Sequence, residues 1–105
     1  MDTLDSSLRA IADLRNRTTL AENSGDAAFF DSACTDDVVV MRPGMPFIVG
    51  RHAAVAFMSA FFDAFDITIE YLSHESRVDG ALAFDRGTYS QILVPRAVSY
   101  THLVR

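Results

Sequence analysis

The chain has 105 residues, half of them hydrophobic, and a formal net charge of −5. This length allows one domain with a single core, and the apolar content favours a folded chain over a disordered one. A net-acidic chain with scattered arginines is a poor candidate for nucleic-acid binding. Its apolar runs are too short to span a membrane, and the N-terminus MDTLDSSLRA lacks the layout of a signal peptide. With one cysteine there is no disulfide framework, so we expect a cytoplasmic protein.

Two helices are predicted in the first third of the chain. Apolar side chains recur every three or four residues over 3–23, which predicts an amphipathic helix. Gly25 follows as a stop, because glycine accepts the left-handed conformation at a helix C-terminus. Asp26 can then cap a shorter helix that runs to residue 33 or 34.

The sequence TDDVVVMRPGMPFIVGRHAAVAFM, residues 35–58, predicts two short strands, a corner and a third helix. The strands are residues 38–41 and 47–49, and the prolines between them cannot donate ladder hydrogen bonds. The helix covers about residues 51–65. Its apolar side chains exceed a narrow packing stripe, so they either fill the core or line a ligand pocket. They are Val55, Phe57, Met58, Phe61, Phe62 and Phe65.

From residue 67 onward the pattern predicts a β-hairpin, because Asp79-Gly80 separates two β-like segments. If these two residues form the loop, one face pairs Val78 with Ala81, Ser76 with Ala83, His74 with Asp85, Leu72 with Gly87 and Glu70 with Tyr89. The other face carries Ile67, Ile69, Tyr71, Leu82, Phe84, Ile92 and Val94. Both faces contain apolar groups, so one should meet the helices and the other a partner subunit, giving a homodimer.

The last residues are treated separately. Residues 98–103, VSYTHL, resemble one reading frame of a sequencing adapter. We therefore expect a single domain over residues 1–97, truncated at its C-terminus, and a non-native tail over 98–105. Tyr100 and His102 are not used as functional residues for this reason.

The order of these elements resembles the SnoaL-like and ketosteroid-isomerase-like proteins of the nuclear transport factor 2 superfamily. The motifs SGDAAFFDSACTDDVVV, FIVGRHAAVAFM and ALAFDRGTYS carry the resemblance, which covers about residues 5–95. It implies an α+β cone-shaped fold, with three helices packed on a curved, mostly antiparallel sheet that is incomplete at the C-terminus. Such cones enclose cavities for small, mostly apolar molecules, and the fold is also used for dimerisation alone.

The catalytic residues of ketosteroid isomerase do not carry over to this chain. That mechanism needs an aspartate base, a tyrosine and a protonated aspartate. Arg42 stands at the position of the base and Thr18 at that of the tyrosine, while the second aspartate belongs to a later strand that is missing here. The resemblance therefore does not imply that mechanism.

The predicted hairpin register supplies a different catalytic candidate, because it places His74 beside Asp85 at a Cβ separation of about 4.5–5.5 Å. Such a pair is either a general base or a structural hydrogen bond. Catalysis calls for a buried Asp85 with a raised pKa, and a structural role leaves it in water. Arg42 either holds a ligand oxygen in the cavity or pairs with Asp36 or Asp37 outside it.

Our first hypothesis is a protein that binds a small apolar or carbonyl-containing molecule, with a cofactor-free acid–base step such as isomerisation, cyclisation or hydration. The second is a non-catalytic dimerisation or protein-binding module. Histidine spacing and the absence of a Gly-rich loop give no sign of a metal or nucleotide cofactor. The catalytic candidates are Asp85 and His74, and the substrate-binding candidates are Arg42, Tyr89, Val40, Phe57, Met58, Phe61 and Phe62.

Overall fold

A computed structural model describes residues 3–96 as three helices and two antiparallel strand pairs, which confirms the predicted α+β class. The elements are α1 (Thr3–Ser24), α2 (Ala28–Ala33), β1 (Val39–Val40), β2 (Ile48–Val49), α3 (Arg51–Ala64), β3 (Phe65–Asp79) and β4 (Leu82–Pro95). Each predicted element is present, with ends that differ by a few residues at most. The predicted boundary at residue 97 and the tail 98–105 lie outside the described residues and stay predictions.

Helix α1 is fixed to β3 by a side chain that pairs with a strand backbone. Asn23 accepts a hydrogen bond from the Ile69 amide at 2.7 Å and donates one to the Ile69 carbonyl at 3.2 Å. Gly25 then ends the helix with a φ of 73°, as the sequence predicts, and the Asp26 amide closes the turn on the Ala21 carbonyl at 2.8 Å. The C-terminal end of α1 is thereby held against the sheet.

The core lies where α3 crosses the start of β3. Met58 and Phe62 from α3 are buried against Ile67 and Ile69 from β3. Met58 and Phe62 are four residues apart on the helix, and Ile67 and Ile69 are two residues apart on the strand. Each pair therefore lies on one face of its element, and that face is turned inward. The aromatic residues Phe30, Phe57, Phe61 and Phe65 pack partly buried around them.

The segment that precedes β1 is fixed to the start of α3 by a backbone hydrogen bond and an ion pair. The Arg51 amide donates to the Asp36 carbonyl at 3.1 Å, and the Arg51 guanidinium pairs with the Asp36 carboxylate at 2.6 Å. Gly50 has a φ of 94°, a conformation that glycine adopts without strain. The Asp-Asp pair of the sequence therefore has a structural partner at the start of α3.

The hairpin β3–β4 forms, but the predicted register is wrong. Its loop is Gly80–Ala81 between the paired residues Asp79 and Leu82. Gly80 takes the first loop position with a φ of 60°, as type II′ turns require, whereas the prediction placed it second. Near the loop, each β3 residue therefore pairs with a β4 residue two positions later than predicted, as Val78 does with Ala83 instead of Ala81.

A β-bulge between Ser73 and Glu75 changes the register a second time, because His74 has no partner on β4. Beyond the bulge Tyr71 faces Tyr89, instead of the predicted Glu70. A shift of one residue exchanges the two faces of a strand. Ile67, Ile69 and Tyr71 consequently share their face with Tyr89 and Asp85, and the opposite face carries Leu72, Leu82, Phe84, Ile92 and Val94.

The backbone at the bulge approaches Gly87 so closely that no side chain fits. A Cβ at this position would lie 1.9 Å from the Leu72 carbonyl oxygen. Gly87→Ala is therefore expected to lower the free energy of unfolding by about 1–3 kcal/mol, as overpacking does. Urea denaturation measures the loss.

Ser90→Ala is the control on the same strand, because Ser90 is exposed and an exposed substitution changes stability by about 0.5 kcal/mol or less. Equal stability of the two variants would show that the strands do not pack this closely at the bulge.

Candidate functional site

A cavity of about 500 Å³ lies between the three helices, the β1–β2 corner and the inner face of the hairpin. Its wall is mainly apolar, with polar side chains contributed by α1, the corner and both long strands. The apolar part includes Phe30, Val40, Met41, Pro43, Ala54, Met58 and Ile69, and the other side chains are Glu22, Cys34, Arg42, Tyr71, Tyr89 and Gln91.

A carboxyl and a phenol meet at one side of this cavity. The Tyr71 hydroxyl donates to Glu22 Oε2 at 2.5 Å. Burial raises the pKa of Glu22, while the Tyr71 hydrogen bond and the charge of Arg42 lower it in part. Burial also raises the pKa of Tyr71, as do its hydrogen bond to Glu22 and the charge of that carboxylate. Tyr71 therefore stays a neutral donor. Glu22 is the more acidic of the two groups, and it binds its proton more tightly than an exposed carboxylate does.

Arg42 faces the cavity from the β1–β2 corner. Its guanidinium carbon lies 4.9 Å from the ring centroid of Phe61 and 5.4 Å from that of Phe57, and these two rings are stacked at 5.9 Å. Within residues 3–96 no group forms an ion pair or a side-chain hydrogen bond with it. The alternative that paired it with Asp36 or Asp37 is not formed, because Arg51 holds the Asp36 carboxylate and no ion pair within residues 3–96 joins Arg42 to Asp37.

Asp85 belongs to a separate polar cluster between α1 and the outer half of the hairpin. Arg15 pairs with its two oxygens at 2.7 and 3.1 Å, and the hydroxyls of Ser73 and Ser76 donate to it at 2.5 and 2.7 Å. These contacts, led by Arg15, lower the pKa of Asp85 although its side chain is only 27% exposed. A carboxylate stabilised in this way is a weak proton acceptor.

His74 does not contact Asp85, so the predicted pair is not formed. The bulge removes His74 from the pairing, and Ser76 faces Asp85 instead. Nε2 of His74 lies 3.3 Å from the Thr88 hydroxyl oxygen, on the face away from the helices. The separation follows from the register, and the catalytic roles assigned to the two residues stay predictions.

The substrate-binding candidates fall into three places. Arg42, Tyr89, Val40 and Met58 line the cavity. Phe62 is in the core, and Phe57 and Phe61 support Arg42. Sequence reasoning missed Glu22 and Tyr71, although Glu22 lies one helical turn after Thr18, the position compared with the isomerase tyrosine.

Within residues 3–96 no group of three or more His, Cys, Asp and Glu side chains is placed to hold a metal ion. None of the helices in this range is long and apolar enough to cross a membrane.

Solved structures share this fold. A conserved protein from Planctomyces limnophilus DSM 3776 superposes with a TM-score of 0.80 at 23% identity, over 88% of this chain and 71% of that one. A ketosteroid isomerase-like protein from Erwinia carotovora atroseptica SCRI1043 superposes with a TM-score of 0.62 at 26% identity, over 83% of this chain and 72% of that one. An LEH-like epoxide hydrolase from M. tuberculosis superposes with a TM-score of 0.60 at 22% identity, over 88% of this chain and 65% of that one.

These similarities place the chain among the cone-shaped proteins of the nuclear transport factor 2 superfamily. The family model of the SnoaL-like domain matches residues 16–103, and the chain belongs to that family. Comparison with curated proteins gives no match.

Glu22→Gln is expected to change how stability depends on pH. Because the pKa of Glu22 in the folded chain is raised above its ordinary 4.5, ionisation of this group costs folding free energy. The wild type should therefore lose stability relative to the variant as the pH rises from about 4.5 through the folded pKa. Urea unfolding of both proteins at pH 4.5 and 7.5 measures the difference.

Asp85 does not interfere in this window. Its pKa is lowered from 3.8, so its contribution is complete above about pH 4.5 and is lost only in stronger acid. All other side chains are the same in the two proteins, so their contributions cancel in the comparison. An unchanged difference between the variant and the wild type at the two pH values would contradict a raised pKa at Glu22.

Proposed function

We propose that this SnoaL-like domain binds a small, mostly apolar molecule with a carbonyl or carboxylate oxygen, and that Arg42 holds that oxygen. The observation that carries the proposal is the position of Arg42, a half-buried cation beside an apolar cavity whose guanidinium has no ion-pair or side-chain hydrogen-bond partner within residues 3–96. The volume of about 500 Å³ is in the range of small-molecule sites.

The physical argument rests on the cost of removing a cation from water. The faces of Phe57 and Phe61 compensate part of this cost but use none of the N–H donors. The guanidinium offers five donors in a planar arrangement, which fits a carboxylate or a polarised carbonyl. A ligand oxygen in the cavity would satisfy donors that the described residues leave open.

A cofactor-free acid–base step is the second part of the proposal, and Glu22 is the favoured proton acceptor. Tyr71 orients its carboxyl at the cavity wall, and burial makes it a stronger base than an exposed carboxylate. Asp85 has the opposite environment, because Arg15 stabilises its anion. Similarity to a ketosteroid isomerase-like protein and to an LEH-like epoxide hydrolase supports an acid–base role without identifying the reaction.

Octanoate and octan-2-one are suitable probes, measured by calorimetry against the wild type and Arg42→Met. We expect both to bind the wild type, and Arg42→Met to weaken octanoate about tenfold or more, since a hydrogen bond to a charged group contributes about 1.5–3 kcal/mol. In D₂O, NMR of the ketone reports hydrogen exchange beside its carbonyl, which Glu22→Gln should slow.

Two matched variants control the binding experiment. Arg9→Met removes an exposed arginine of α1, and Asp85→Asn removes the carboxylate outside the cavity; both should bind the probes like the wild type. Binding that is equal in Arg42→Met and the wild type would contradict the proposal. So would a folded wild type that binds neither probe.

A dimerisation module is the second candidate function, favoured by the outer face of the hairpin. Leu72 and Ile92 on this face are 62% and 64% exposed, and Phe84 and Val94 extend the apolar surface. Exposed apolar patches of this kind are typical of protein interfaces. The proposed partner is a second copy of the chain, in contact through this face.

Light scattering after gel filtration tests the interface. We expect the wild type to be dimeric at about 100 µM and Ile92→Ser to shift the population toward monomer, because the substitution places a hydroxyl in an apolar contact. Leu20→Ser, on an exposed position of α1, is the control. A wild type that is monomeric at this concentration would rule out the dimer proposal.

A further inference from the structure

Glu22 has a second carboxyl oxygen that the described residues leave without a partner. Tyr71 donates to Oε2, and no other donor within residues 3–96 contacts the carboxyl group. Every buried side-chain nitrogen or oxygen in this range has a hydrogen-bond partner, so Oε1 keeps accessible surface. Since Glu22 lines the cavity, this oxygen is an acceptor available to whatever occupies it.

Arg42 supplies the complementary group on the same cavity. Its guanidinium has open donors, and its charge acts on both Glu22 and Tyr71. The remaining wall is mainly apolar, with Met58 and Ile69 among its side chains. The cavity therefore offers one acceptor and one set of donors in apolar surroundings, and a ligand that pairs with both must carry a donor and an acceptor.

We propose that the cavity selects hydroxy ketones or hydroxy acids, whose hydroxyl donates to Glu22 while the carbonyl or carboxylate oxygen accepts from Arg42. This inference rests on the proposed binding function and specifies its ligand class. A hydroxyl fits better than an ammonium group, because Arg42 already provides a positive charge near Glu22. A second cation in the same cavity would be repelled by it.

Selectivity of this kind has a clear physical origin. A buried hydroxyl without a partner is costly, so an apolar pocket alone disfavours it relative to a methyl group. A pocket that provides an acceptor removes this cost, and a site built to bind a hydroxyl discriminates strongly against the analogue that lacks it. The preference between hydroxyl and methyl therefore reports on the free oxygen of Glu22.

The test compares 7-hydroxyheptan-2-one with octan-2-one, which differ only in a terminal hydroxyl or methyl. Both chains are flexible enough to adjust to the spacing between Glu22 and Arg42. Calorimetry at pH 8 gives the ratio of their dissociation constants for the wild type and for Glu22→Met. We expect the wild type to bind the hydroxy ketone at least as tightly, and Glu22→Met to shift the ratio about tenfold toward octan-2-one.

Two further variants separate this role from a general effect on the pocket. Arg42→Met should weaken both ketones to a similar extent and leave their ratio unchanged. Arg9→Met changes an exposed side chain of α1 away from the cavity and should keep the preference for the hydroxyl. If Glu22→Met does not fold, Glu22→Ala serves in its place, because alanine is the strongest helix former at this α1 position.

The outcomes distinguish this inference from the proposed function. A folded wild type that binds neither ketone would overturn both. If both ketones bind and their ratio is the same in the wild type and in the Glu22 variant, the ligand class is wrong while the binding function stands.

Discussion

The β-bulge at His74 is the constraint on which the rest of the hairpin depends. It moves the register of β3 by one residue, so that Tyr71 faces Tyr89 over the cavity, while the turn at Gly80–Ala81 sets the pairing of Ser76 with Asp85 beside α1. Without it, every β3 side chain from Phe65 to Ser73 would change face relative to β4. Gly87 makes the bulge possible, because the Leu72 carbonyl occupies the space that a Cβ would need.

The two carboxylates between α1 and the hairpin, Glu22 and Asp85, show how different environments change the acidity of the same functional group. Asp85 receives Arg15 and two serine hydroxyls, which favour its anion and lower its pKa. Glu22 is half-buried, with one phenol donor, and its pKa is raised. Both carboxylates link α1 to the hairpin, but the environment favours the anion at Asp85 and the protonated form at Glu22.

Arg42 and Glu22 give the cavity its polarity. The guanidinium of Arg42 lies over two aromatic rings, and the carboxyl of Glu22 accepts a hydrogen bond from Tyr71. Each group is positioned by these neighbours and can still form further hydrogen bonds. An apolar cavity with a few oriented polar groups is typical of small-molecule sites. In this SnoaL-like domain Arg42 stands at the position compared with the base of ketosteroid isomerase, and Glu22 lies one helical turn after the position compared with its tyrosine.

Local sequence was sufficient to determine the elements of this protein. The apolar spacing of α1 and α3, the glycine stop at Gly25 and the glycine turn of the hairpin depend on near neighbours along the chain. Local patterns of this kind predicted the helices and strands that the structure describes within residues 3–96. The family resemblance supplied the cone and the place of Tyr89 on its cavity, and the sequence left the orientation of Arg42 open. Only the tertiary structure decided that Glu22 meets Tyr71, which depends on how α1 packs on β3, and that Ser76 instead of His74 faces Asp85, which depends on the exact residues of the hairpin loop.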